Sequence, residues 1–88
     1  MKFKLAGNLL RFSNFQKEIE IAAVTVETAV QSLVERCPDL RPVLLDGEGR
    51  VRQVHRLFLN GEILPSHELD HQVGSQDEVA IITAIAGG

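Results

Sequence analysis

Val79-Ala80-Ile81-Ile82-Thr83-Ala84-Ile85 is apolar on both strand parities, is entered from the turn residues Gly74-Ser75-Gln76-Asp77-Glu78, and runs into Ala86-Gly87-Gly88. A short, continuous apolar run bounded by turn signals predicts a central strand with cover on both faces.

Lys2-Phe3-Lys4-Leu5 and Glu18-Ile19-Glu20-Ile21 alternate polar and apolar residues, the period-two pattern of half-buried strands. Gly7 and Asn8 supply a bend between them, which predicts an opening hairpin. The period then changes. Val26, Ala29, Val30, Leu33, Val34 and Cys37 recur three or four apart and form one helical stripe. Thr25 can accept a hydrogen bond from a free amide at the helix start, Glu27 suits the positive end of the helix dipole, and Pro38 blocks continuation.

Asp46-Gly47-Glu48-Gly49 reads as an exposed turn, and Val51 to Leu59 as a strand ending at Asn60-Gly61, a strong tight-turn pair. Glu62-Ile63-Leu64 returns as a short strand before Pro65. The predicted class is α+β: a mixed four- to five-stranded sheet packed on one main helix, with Phe3, Leu5, Ile19, Ile21, Leu57, Leu59, Val79 and Ile81 in the core.

With 88 residues and no composition break, the chain is read as one domain, residues 1–85, followed by a flexible tail, residues 86–88. A chain this small has little room for a deep catalytic cleft. The formal net charge is −3 and the basic residues are scattered, so nucleic acid is not the expected partner. No apolar leader follows Met1, and nowhere do about 18 apolar residues run together, so no membrane association is expected and a cytoplasmic location is. Cys37 is the single cysteine, which leaves it a small packing residue at the helix end and excludes an internal disulfide.

Ala86-Gly87-Gly88 carries no side chain larger than methyl. Such a segment can thread a narrow channel, and a backbone without Cβ can approach a reacting phosphate closely. At an average glycine usage of about 7%, two glycines fall together at given positions by chance roughly 0.5% of the time. The pair therefore weighs toward a working terminus.

The chain resembles the bacterial sulfur carriers with the ubiquitin-like β-grasp fold, which include the molybdopterin synthase small subunit, the thiamine sulfur carrier and the cysteine-forming carrier. The matching pieces are Phe3-Lys4-Leu5, Thr25-Val26, Phe58-Leu59-Asn60-Gly61-Glu62, Asp77-Glu78-Val79 and Ala86-Gly87-Gly88. Two departures stand out: Gly74-Ser75-Gln76-Asp77-Glu78 replaces the usual Asp-Gly-Asp-Glu turn, and Arg41 to Arg52 is longer than a compact thiamine carrier needs. The longer segment is more similar to cysteine-forming and siderophore-linked carriers.

The resemblance implies a chain that is carrier and co-substrate, not enzyme, and that binds no cofactor of its own. An adenylyltransferase akin to the ubiquitin-activating enzymes uses ATP to activate Gly88, sulfur replaces AMP, and the Gly88 thiocarboxylate donates sulfur to a biosynthetic enzyme. Ala86 and Gly87 thread the tail. A metal-dependent protease would trim any residues encoded after Gly88. Cysteine or a thioacid siderophore such as thioquinolobactin is the favoured product. Conjugation of Gly88 to lysines, as a ubiquitin-like modifier, is the alternative.

Docking requires a surface beside the tail. Arg52, Val54, Arg56 and Phe58 share one parity, opposite Leu57 and Leu59, and with Ile82 they form the expected partner face.

One competing pattern remains. His67-Glu68-Leu69-Asp70-His71 satisfies H-E-x-x-H, in which His67 and His71 would bind zinc and Glu68 would act as general base of a minimal metalloprotease. Pro65 and Gly74 confine any helix there to about two turns, and no methionine turn follows. The sequence therefore favours a short turn in which Leu69 and Val73 seal the core edge, and no metal is expected. His55, on the inward parity of its strand, is read as packed or hydrogen-bonded near a sheet end.

Overall fold

The computed structural model describes residues 1–83. In chain order these form β1 (Lys2–Leu5), a 3-10 turn (Gly7–Phe12), β2 (Glu18–Glu20), α1 (Val26–Arg36), a 3-10 turn (Pro38–Leu40), α2 (Arg41–Leu44), β3 (His55–Leu59), β4 (Glu62–Leu64), a 3-10 turn (Ser66–Glu68) and β5 (Glu78–Thr83). The predicted strand ending at Ala84 and Ile85, the boundary after residue 85 and the tail residues Ala86, Gly87 and Gly88 lie outside the described residues.

The five strands form one sheet in the order β2-β1-β5-β3-β4. β1 and β5 run parallel, with Phe3 opposite Val79 and Leu5 opposite Ile81, and every other pair is antiparallel. β5 is thus central, as its apolar run predicts. Its cover is one-sided, however: Val79 and Ile81 are buried whereas Ile82 is 49% exposed. A single helix layer can cover only one sheet face, so the expected second cover is not found among the described residues.

That layer is α1, whose stripe Val26, Ala29, Val30, Leu33 and Val34 is buried in one cluster with Phe3, Leu5, Ile19, Ile21, Leu57, Val79 and Ile81. Burying each large side chain contributes about 1.5–3 kcal/mol. Leu59, expected in the core, is only partly buried near the end of β3. The helix start is closed reciprocally: the Thr28 amide donates to Thr25 Oγ1 at 3.1 Å, and the Thr25 amide donates to Thr28 Oγ1 at 3.2 Å. At the other end Cys37 caps α1 and packs half-buried against the core.

Asn60 and Gly61 connect β3 to β4 with φ of 52° and 87°, the two positive values a tight hairpin turn requires. Gly61 takes this conformation without steric cost. Asp46 organises the turn after α2 by accepting the Glu48 and Arg50 amides at 2.8 and 3.0 Å. Those amides, Arg50 first, hold its carboxyl below the usual range.

Two stretches differ from the sequence reading. The predicted bend after β1 is a full 3-10 turn that buries Leu9. The predicted strand over Val51 to Leu59 begins only at His55, because Val51 makes an isolated bridge to Leu45 and Gln53-Val54 turn the chain. The preceding helical turn causes this: the Arg52 amide donates to the Leu44 carbonyl at 2.8 Å, and Arg52 Nε donates to the Pro42 carbonyl at 3.1 Å.

Candidate functional site

The uncovered sheet face is built by strand alternation. Core residues Phe3, Ile19, Leu57, Val79 and Ile81 point to α1, so their neighbours in sequence point away. Strand register aligns Glu18, Lys4, Ala80, Phe58 and Ile63 in one row across all five strands, and sets Arg56 opposite Ile82 in the next.

This face has two halves. On β2, β1 and the first residue of β5 it is charged and self-paired, Lys2 with Glu18 and Lys4 with Glu78, each at 3.4 Å. On the rest of β5 and on β3 and β4 its centre is apolar: Ile82 is 49% exposed, Ile63 59%, and Phe58 and Ala80 are partly buried between them. Arg56 borders the apolar half, its guanidinium donating to the Gln53 and His55 carbonyls.

Of the expected partner face, Arg56, Phe58 and Ile82 therefore come together. Arg52 and Val54 do not share the strand that was to align them: Arg52 is tied to the carbonyl end of α2 and Val54 sits in the turn before His55. Sequence reasoning missed Ile63 and Ala80. The signal for Ile63 was present, because a two-residue Asn60-Gly61 turn forces Leu59 opposite Glu62 and Phe58 opposite Ile63.

The apolar half lies beside the end of β5. Thr83 pairs with His55, one position beyond the Ile82–Arg56 pair. His55 is 6% exposed; its Nε2 lies 2.8 Å from the Val43 carbonyl and its Nδ1 3.1 Å from Thr83 Oγ1. A carbonyl can only accept, so Nε2 donates to Val43, and in the neutral ring Nδ1 is left to accept from the threonine hydroxyl. The expectation of a packed, hydrogen-bonded histidine is met, and the ring ties the last described residue to the segment beneath it.

The zinc pattern does not assemble. Residues Ser66–Glu68 form a single 3-10 turn, not the α-helix that would put His67 and His71 on one face. His67 lies 3.6 Å from Glu68, and His71 Nδ1 donates to the Gln72 carbonyl. A groove of about 820 Å³ opens on the helix side and is lined by His67 and Asp70 but not by Glu68 or His71. Among the described residues no group of three His, Cys, Asp or Glu is disposed to hold a metal, and no helix is long and apolar enough to cross a membrane. Leu69 and Val73 pack against the core edge as the alternative reading expected.

A mixed sheet over one helix, with its last strand central and parallel to its first, defines the ubiquitin-like β-grasp class. The ThiS family model matches residues 4–88, and the chain belongs to that family of ubiquitin-like sulfur carriers. No curated protein matches the sequence significantly.

Solved structures agree on the fold. SAMP1, small archaeal modifier protein 1, from Haloferax volcanii superposes with a TM-score of 0.87 at 22% identity, covering 99% of this chain and 97% of that one. The BexX/CysO complex from Amycolatopsis orientalis gives 0.84 at 20% identity, covering 99% and 98%. CysO from Mycobacterium tuberculosis, described as an antigen, gives 0.81 at 18%, covering 96% and 98%.

Proposed function

We propose that this chain is the protein co-substrate of a sulfur-transfer cycle, with the carboxylate of Gly88 as its working group. One observation carries the reading: the ThiS family match extends through Ala86-Gly87-Gly88. The described residues supply a scaffold and a docking face; catalysis belongs to partner enzymes.

An adenylyltransferase of the ubiquitin-activating type joins a Gly88 carboxylate oxygen to the α-phosphorus of ATP, and pyrophosphate leaves. Sulfide attacks the acyl carbon, AMP departs with the shared oxygen, and Gly88 ends as a thiocarboxylate. Where an enzyme persulfide delivers the sulfur, an acyl disulfide forms first and a second thiol reduces it. Ala86 and Gly87 suit passage to the nucleotide because neither carries a bulky side chain. A metal-dependent protease would expose Gly88 if translation extends past it.

Arg56, Phe58 and Ile82, joined by Ala80 and Ile63, form the surface on which the partners dock. Apolar side chains clustered around an aromatic and an arginine, beside the strand that leads to the tail, are the composition of an interface centre. The BexX/CysO complex, in which a fold neighbour is held by a second protein, supports such docking. The long segment between α1 and β3 favours cysteine or a thioacid siderophore such as thioquinolobactin as the product.

The likeness to SAMP1 favours a second reading, in which a lysine amine intercepts the same activated Gly88 and forms an isopeptide. Incubation with the activating enzyme, ATP and a sulfur source separates the two. Sulfur transfer adds about 16 Da at Gly88, the mass difference between sulfur and oxygen, whereas conjugation leaves Gly-Gly remnants on lysines.

A further inference from the structure

Asn14 and Phe15 are consecutive non-glycine residues with φ of 59° and 61°, and Phe15 is 71% exposed. Left-handed backbone is unfavourable for a bulky residue, and a pair persists only where the surroundings hold it. The hold is visible. Ser13 is 1% exposed and its hydroxyl donates to the Gln16 carbonyl at 3.0 Å, while the Phe15 amide donates to the Leu10 carbonyl at 2.8 Å. Leu9 beneath is buried. The loop is a hydrogen-bonded mount whose single large exposed apolar side chain is Phe15.

The mount stands at the end of the sheet from which residues 84–88 continue. The Leu5 amide donates to the Lys17 carbonyl at 2.8 Å, Leu5 pairs with Ile81, and β5 ends at Thr83. Lys17 thus lies two strands from β5, about 10 Å away, and Phe15 lies further toward the same end. Five residues span at most roughly 18 Å. An enzyme that grips Gly88 therefore closes against this end of the domain.

We propose that Ser13–Lys17 is a docking element for the adenylating partner, with Phe15 entering an apolar pocket rimmed by acidic side chains. This rests on the sulfur-carrier reading above. Charge selects the occupant: Arg11 and Lys17 are exposed and, among the described residues, make no ion pair, while the adjacent Glu18 is paired with Lys2. A symmetric contact between two copies would bring these like charges together, whereas an acidic rim neutralises them. Preorganisation gives the strained backbone its use, since an aromatic already fixed in its bound conformation loses little freedom on docking.

Phe15→Gly tests this because glycine accepts the left-handed conformation without steric cost, so the fold is kept and the ring alone is lost. In adenylation by the cognate enzyme, followed by pyrophosphate release, the KM for Phe15→Gly should rise about tenfold with kcat within about twofold. Its Tm should stay at or above that of the natural chain. Lys17→Glu should raise KM as well, most at low salt. Unchanged KM in both variants overturns the proposal while leaving the carrier reading standing. Absence of adenylation in the natural chain overturns the carrier reading and this proposal together.

Discussion

His55 and Thr83 face each other across the β3–β5 ladder, with the ring's Nδ1 hydrogen-bonded to the threonine hydroxyl at 3.1 Å and its Nε2 donating to the Val43 carbonyl at 2.8 Å. One buried imidazole therefore joins β3, the loop-side carbonyl of α2 and the end of the central strand, just before the proposed working tail. His55→Ala removes both bonds and leaves a gap beneath them. We expect a loss of about 2–3 kcal/mol in denaturant unfolding, most of it from the unsatisfied Val43 carbonyl and the lost packing. Nitrogen NMR on the natural chain should show the proton on Nε2.

Asn60 does for the start of β5 what His55 does for its end. Its amide donates to Asp77 Oδ1 at 3.0 Å and its carbonyl oxygen accepts the Glu78 amide at 3.0 Å. The Asn60 bond first, then the Gly74 amide at 2.7 Å, holds the Asp77 carboxyl below its usual value. A carboxyl depressed in the folded state contributes stability above the unfolded pKa, about 3.9, and loses it as pH falls through the lower folded value. Asn60→Gly keeps the turn conformation but removes the clamp. Carbon NMR titration should show Asp77 moving up toward its ordinary value, and the acid-sensitive part of the stability should shrink.

Thr25 closes α1 through the reciprocal bonds with Thr28. Thr25→Ala should cost about 1 kcal/mol, a fall of roughly 4–8 °C in Tm for a domain of this size. Thr25→Ser, which keeps the oxygen, should recover most of it.

These predictions draw on parts of the molecule that were unequally legible in sequence. The helix was readable because the spacing from Val26 to Cys37 and its Thr25 and Pro38 boundaries are local signals that agree. The Asn60-Gly61 hairpin was readable because few residue pairs tolerate two positive φ values. The stretch before His55 was not, since nothing in Val51-Arg52-Gln53-Val54 marks where a strand running back from the Asn60-Gly61 turn must begin unless one knows that Arg52 is drawn to the end of α2. Nor could apolar content alone tell that, among the described residues, β5 has cover on one face, because that depends on how many layers the chain builds. Phe15 carried no local pattern at all: its left-handed backbone is imposed by Ser13 and Leu10.

Ile82 sits on the open face and is half exposed, so Ile82→Glu should change stability by less than about 1 kcal/mol. The same change places a charge in the centre of the proposed docking surface. We expect it to weaken binding of the adenylating partner at least about tenfold by calorimetry, and Lys2→Ala on the self-paired half of the face to leave binding within about twofold.

The most direct measurement is intact-protein and peptide mass spectrometry of the chain after reaction with its cognate activating enzyme, ATP and sulfide. The account predicts a gain of about 16 Da confined to the peptide containing Gly88, absent without ATP and absent from a chain lacking Gly88. An unmodified Gly88 under conditions in which that enzyme thiocarboxylates its carrier, or sulfur gained by the chain lacking Gly88, would contradict it.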